Sequence, residues 1–394
     1  MNPRAIYVHA PFCRRRCAYC DFAVTVAADA DPRTWAEAVA LELVAVAARE
    51  RWSLPLKPHT LYVGGGTPSL FGAAGMAALR HALADTVDLS GVKEWTAEAN
   101  PESFDLAVAR GWVDAGVNRL SLGAQTFHAP ALRWMGRLHG PDGPARALEA
   151  AREAGITNIS LDLIFGLPER LGRDWGRDLD CALRLEPTHL SLYGLTAEPG
   201  TPLGRWVAEG RERLADGDGY AEDYLLAAGR LGDGGWDHYE VSNFCRPGWP
   251  SHHNEAYWDG TPYVGLGPGA HSFAGSRRWW NLRDWRAYRS AVERGEAPAA
   301  GAETVSGETR ALEELWLGLR TAAGVDLVDE TEITIARGWV NAGLALFTSG
   351  ARVRLTAEGW LLLDRLAVEL SASGGRDARR EGAGRAATAT GMEN

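Results

Sequence analysis

Short runs rich in β-branched and aromatic residues alternate with longer stretches of helical periodicity across the first half of the chain. AIYVHA, HTLYVGG, EWTAEAN, RLSLGAQ, NISLDLIFG and HLSLYGL begin near residues 5, 59, 94, 119, 158 and 189, and each reads as a strand. Between them PRTWAEAVALELVAVAARE (32–50), DLAVARGWVDAG (105–116) and GPARALEAAREAG (143–155) read as helices. The last two close on a glycine, the residue favoured just past a helix end. Six β-α units in a row predict an α/β protein with a parallel sheet, either doubly wound or a full or partial barrel.

Functional groups in such folds gather at the C-terminal ends of the strands. Here the first strand leads to Cys13, Cys17 and Cys20, and the second to GGGTP. The third leads to Glu98 and Asn100, the fourth to Gln125, the fifth to Asp162, and the sixth to Tyr193 and Thr196. After about residue 205 the rhythm fades. The expected organisation is a first domain over 1–233, with a glycine-, aromatic- and histidine-rich segment over 234–300 packed against it. Residues 301–372 predict helices, a hairpin or wing at ARVRLTAEG and a final helix, a small, mostly helical, winged-helix-like domain. Residues 373–394 have too few large apolar groups to offset ordering and are expected to be disordered.

Composition narrows the classes of function. No run of eighteen apolar residues occurs, and the start lacks the pattern of a secretory signal, so the expected compartment is the cytoplasm. A formal charge of −10 argues against a chain that binds nucleic acid through its phosphates, despite the local arginine and tryptophan content of RRWWNLRDWRAYR (277–289). Of five cysteines, three are bunched and two, Cys181 and Cys245, stand alone. That is a poor disulfide framework, and in a reducing compartment it points to metal or redox chemistry.

Thiolates spaced four and three apart on one loop can converge on a single centre, as in cluster-binding loops. A structural zinc site wants four ligands, usually as two pairs, and no second CxxC or HxxxH pair occurs here; zinc is the second choice. Three thiolates on a four-iron cluster leave one iron open to a cofactor. Gly64, Gly65 and Gly66 have no side chains to block backbone contact with a small zwitterion, although such a triplet also serves as a plain tight turn.

CxxxCxxC after the first strand and GGGTP after the second resemble the radical S-adenosylmethionine (SAM) superfamily. The resemblance implies a partial (β/α)6, TIM-like barrel and a 4Fe-4S cluster held by Cys13, Cys17 and Cys20, with SAM on the open iron. In that family the cluster passes one electron to SAM and splits it into methionine and a 5'-deoxyadenosyl radical. By the same resemblance Gly65, Gly66, Thr67, Glu98, Gln125, Arg137, Asp162 and Thr196 meet SAM, and Tyr7 and Tyr19 are placed to pack on adenine.

YVHAPFCRRRCAYCDF, YVGGGTPSL, SLGAQTF, LDLIFGLP and HNEAYWDGTPYVGLGPGAHSF together resemble the group that joins oxygen-independent coproporphyrinogen III dehydrogenase to HemW-type haem chaperones, over roughly residues 4–370. The dehydrogenase pattern has a fourth cysteine two positions beyond the third, where this chain has Phe22. Asp21-Phe22 and the HNxxYW segment are similar to the chaperone branch. That branch implies haem as cargo, with His253 on the iron and Tyr257 and Trp258 against the porphyrin; His252, His271 and Cys245 are the local competitors. It also implies recipients among respiratory haem proteins, some of them membrane-associated, and a homodimer as a working form. The alternative is an enzyme that decarboxylates two propionates of coproporphyrinogen III, and one scaffold serves both tasks.

Overall fold

The computed structural model describes residues 2–27 and 30–372, so the expectation of a disordered tail at 373–394 lies outside the described residues. The first strand, β1 (Ala5–Ala10), pairs in parallel with β2 (Thr60–Gly65). The parallel run continues through β3 (Glu94–Ala99), β4 (Arg119–Gln125), β5 (Asn158–Phe165) and β6 (His189–Gly194) in chain order. A short strand, β7 (Asn243–Cys245), runs antiparallel beside β6. The other edge of β1 takes β8 (Tyr263–Leu266) in parallel, and β9 (His271–Ala274), β10 (Arg277–Asn281) and β11 (Ala299–Thr304) extend the sheet outward, antiparallel to one another.

This is a partial (β/α)6 barrel, with further strands added at each edge of the six-stranded parallel run. The crossover helices form where their caps say they should. Asp31 accepts from the amides of Arg33 and Thr34 and starts Pro32–Glu50, while Asp105 caps Leu106–Ala115, which ends on Gly116 at φ 109°.

Alternation along the strands decides what the barrel encloses. Ile6, Val8, Leu61, Val63, Leu120, Leu122, Leu161, Leu163, Leu190 and Leu192 are buried on the face that meets the helices. Each contributes about 1.5–3 kcal/mol by leaving water. The intervening residues, Tyr62, Glu98, Ser121, Ser160, Asp162, His189 and Ser191, hydrogen-bond to one another across the barrel interior. The interior is therefore polar.

The chain divides into two compact units. The first holds Met1–Asp237, Ser242–Tyr257 and Thr261–Thr304, so β8–β11 are strands of its own sheet. The second takes His238–Val241, Trp258–Gly260 and the chain from Val305 onward. It is built from helices Gly307–Leu319, Glu330–Asn341 and Leu363–Ser371 around Leu315, Leu319, Trp339, Leu366 and Leu370. A three-stranded sheet of Val325–Asp326, Ala345–Phe347 and Arg352–Leu355 forms its wing. Among the described residues no helix is long and apolar enough to cross a membrane.

Candidate cluster and cofactor site

Beyond β1 the chain makes a short parallel bridge, Phe12–Cys13 with Thr25–Val26; Cys13 ends the first of these strands, and the loop between carries Cys17 and Cys20. Its middle is pinned from both sides: Ala18 N–H donates to the Met135 carbonyl and Ala18 C=O accepts from Leu203 N–H. Tyr19 packs on an apolar cluster of Met135, Ile164, Leu167, Leu195 and Leu203, which anchors the loop between the cysteines.

A chain of hydrogen bonds links the first thiol to the second. Thr67 Oγ1 donates to Cys13 Sγ at 3.4 Å, and Asn100 Nδ2 donates to Thr67 Oγ1 at 3.2 Å. Arg137 Nη2 donates to Asn100 Oδ1 at 2.7 Å, and its Nη1 reaches Cys17 Sγ at 3.8 Å. Residues from the ends of β2 and β3 and from the segment after β4 thus fix sulfurs on the loop after β1. Arg137 also donates to the Gly123 carbonyl, beside Gln125, whose φ of 65° is left-handed and costs a non-glycine residue about 1–3 kcal/mol.

Burial pushes the Cys13 thiol up to about 11; the Thr67 hydrogen bond opposes the rise, and Cys20 and Cys17 add to it. Cys20 is raised too, again by burial first. Cys13 and Cys20, both raised by burial and by neighbouring thiols, need a cationic centre to become thiolates together. Among the described residues no three His, Cys, Asp or Glu side chains converge as ligands of one ion. A tetrahedral zinc site with 2.3 Å Zn–S bonds would bring its sulfurs to within about 4 Å of each other. In a multi-iron cluster the cysteines instead bind different irons.

The glycine triplet is filled from within. A Cβ on Gly64 would lie 2.7 Å from Glu98 Oε1, one on Gly65 2.3 Å from the His9 ring, and one on Gly66 2.6 Å from the Phe12 carbonyl. Gly65 N–H donates to Glu98 Oε2, while Gly66 and Thr67 N–H donate to the carbonyls of Ala10 and Phe12. The glycines make room for the protein's own carboxylate, imidazole and cysteine loop. His9, which the sequence did not single out, clasps both sides: Nδ1 bonds Tyr7 OH at 3.1 Å and Nε2 bonds the Ala23 carbonyl at 2.8 Å. Burial lowers its pKa to about 4, so it stays neutral.

Glu98 accepts from Tyr62 OH and Gly65 N–H, yet its carboxyl is pushed up to about 7, first by burial and then by nearby Asp162. Asp162 accepts from Ser121 and Ser160. Because Glu98 holds its proton more tightly folded than at its ordinary 4.5, stability falls as pH rises from 4.5 through 7. The Glu98 share of that loss reaches about 3 kcal/mol. Urea unfolding of cofactor-free protein at about pH 5 and pH 8 is expected to show a smaller difference for Glu98→Gln than for wild type. Equal pH slopes in the two proteins would refute this assignment.

Glu102, also absent from the sequence expectations, has a buried Oε2 with no hydrogen-bond partner, and its charge acts on both Arg137 and His139. An orphaned carboxylate oxygen near Arg137, which itself reaches Cys17, fits a cofactor with a cationic amine. Thr196, past β6, is exposed.

His253 is 1% exposed: Nδ1 bonds Thr60 Oγ1 at 2.9 Å, Nε2 bonds Tyr257 OH at 3.0 Å, and its amide donates to Glu94. Burial drives its pKa down to about 3. Iron could reach this imidazole only by displacing a hydroxyl. Tyr257 stands edge-on to Tyr263, and Trp258 falls to the second unit, under the Arg320 guanidinium.

The radical SAM superfamily profile matches residues 7–181. Heme chaperone HemW of Mycobacterium tuberculosis strain H37Rv is 37% identical over 373 residues, covering 92% of this chain and 93% of that protein. The chain belongs to the HemW family. A second member, from Synechocystis sp. PCC 6803, is 37% identical over 334 residues, covering 82% of this chain and 80% of its own. The solved coproporphyrinogen III oxidase (HemN) of Escherichia coli superposes with a TM-score of 0.76 over 94% of this chain and 90% of its own. At 22% identity that likeness establishes the fold alone. Membership in the radical SAM superfamily brings a 4Fe-4S cluster and SAM as cofactors.

Proposed function

We propose that this protein is a haem chaperone: it binds haem as cargo and hands it to haem-dependent proteins, with Cys13, Cys17 and Cys20 on the cluster. SAM is placed on the open iron, toward Glu98, Gln125, Arg137, Asp162 and the orphaned Glu102. The cluster, when bound, supplies single-electron chemistry to SAM; the chain's own part is to hold three sulfurs and a neutral His9 in fixed places. Respiratory haem proteins as recipients, the cytoplasm as compartment and a homodimer as working form belong to the same proposal.

The observation that favours a chaperone over a decarboxylase is position 22. Arg283 pairs with the Asp21 carboxylate at 3.5 Å and donates to its carbonyl, which pins the backbone there. Phe22 is left 60% exposed where the dehydrogenase pattern has a cysteine. An apolar ring held out beside the cluster loop suits a cargo or a recipient.

Haem titrated anaerobically into cluster-loaded protein is expected to bind saturably, one per chain, and to pass to an added apo-haem protein. Coproporphyrinogen III with SAM and a reductant is expected to give no decarboxylated product. Unsaturable haem binding together with product formation would reverse the assignment. His253→Ala is expected to cost about 2–4 kcal/mol of stability by orphaning Thr60 and Tyr257, and to weaken haem binding while sparing the cluster.

A further inference from the structure

Arg119 opens β4 and is only 2% exposed, a cation shut inside the protein. It stands two residues before Ser121, and the alternation of the strand turns both side chains into the barrel interior. Its Nε is buried without a hydrogen-bond partner, and its guanidinium makes no ion pair among the described residues. A buried charge left unpaired is strongly destabilising, so such groups are met by an opposite charge.

The carboxylates of the interior are engaged elsewhere. Glu94 accepts from the amides of His252 and His253, Glu98 from Tyr62 and Gly65, and Asp162 from Ser121 and Ser160. The field of Arg119 nevertheless spreads through the interior: burial first and this charge second hold down the pKa values of His189 and His253.

A second orphan stands beside it. Thr96 on β3 is in register with Arg119, so the two side chains leave the same face of neighbouring strands, about 4.8 Å apart. Thr96 is fully buried, and its Oγ1 has no hydrogen-bond partner. A guanidinium and a hydroxyl, both short of an acceptor, therefore lie side by side. Both are at the end of the strands opposite the cysteine loop.

We infer that Arg119 and Thr96 hold a one-carbon carboxylate, formate or bicarbonate, inside the barrel. The Nε–Nη edge of a guanidinium presents two parallel N–H donors that match the two oxygens of a carboxylate, and the threonine hydroxyl donates a third bond. Burial of both residues limits the guest to a few atoms. Once bound, it cancels the charge that Arg119 otherwise turns on His189 and His253. The site asks nothing of the cluster or the cargo, so it stands whichever task the barrel performs.

The test is equilibrium dialysis of isotope-labelled formate and, separately, bicarbonate against the cluster-loaded full chain, as wild type, Arg119→Met and Thr96→Val. Melting temperatures are recorded in the same salts and in sodium chloride of equal ionic strength. Wild type is expected to bind one anion per chain and to melt higher as the site fills. Arg119→Met is expected to lose both responses, and Thr96→Val to bind about tenfold more weakly. Of the two anions, the tighter binder is the occupant. No bound label in wild type, equal binding in Arg119→Met, or a rise in melting temperature that chloride matches would overturn the site. Should Arg119→Met not fold, Thr96→Val decides, since it keeps the shape of the side chain: wild-type affinity there would overturn the site equally.

Discussion

Cys17→Ala protein, reconstituted anaerobically with iron and sulfide, is expected to hold almost no cluster while keeping its fold. Two thiolates do not anchor four irons against exchange with solvent thiols, so the loss of iron, sulfide and visible absorbance should be close to complete. The fold should survive because Cys17 is only half-buried and its sulfur's hydrogen bond is a long one to Arg137. The stability change should stay within about 1 kcal/mol. Cys245→Ala is the control: Cys245 is buried on β7, and its loss should leave a cavity but a full cluster. Full cluster absorbance in Cys17→Ala would remove this thiol from the ligand set, whatever the family pattern.

Gly65→Ala is expected to do more damage than any single ligand change. The residue sits at φ 106°, which a side chain tolerates poorly, and the new methyl would lie 2.3 Å from the His9 ring. His9 cannot retreat without releasing the Ala23 carbonyl or the Tyr7 hydroxyl. Backbone strain and overpacking together predict a loss of about 2–5 kcal/mol. Because the displaced ring holds the far end of the cysteine loop, cluster content should fall as well. Chemical denaturation and iron analysis check the two effects separately. A variant with wild-type midpoint and iron would show that the His9 clasp is not what the glycine serves.

Much of this architecture is legible in the sequence. Strands expected near 5, 59, 94, 119, 158 and 189 begin at Ala5, Thr60, Glu94, Arg119, Asn158 and His189. Short β-rich runs between amphipathic helices leave little freedom for anything but a parallel sheet. The cysteine motif was equally plain, because its spacing is local. What local pattern could not supply was the function of residues that act across the barrel. His253 reads as an available imidazole, but Thr60 and Tyr257, one of them far away in sequence, occupy both nitrogens. Nor does the glycine triplet announce that Glu98, His9 and Phe12 lie where its side chains would go. One overlooked signal was present: EWTAEA, RLSLGAQ, NISLDLIF and HLSLYG alternate polar and apolar, whereas strands of a dry parallel sheet are apolar on both faces. That alternation announces a polar, hydrogen-bonded barrel interior and marks Glu98, Ser121, Ser160 and His189 as its lining.

The pairing of β1 with β8 sets an order of events during synthesis. Ala5 is made long before its partner Tyr263, which emerges only after the other five strands of the parallel run. Until then the strand that carries the cysteine loop has one bare edge, and closing so long a loop is slow. A chain truncated just after β7 would keep every cysteine and the whole glycine triplet and still lack half of the support for β1. Iron delivered to a nascent chain at that stage would meet thiols on an unfinished platform, so cluster loading belongs after release from the ribosome.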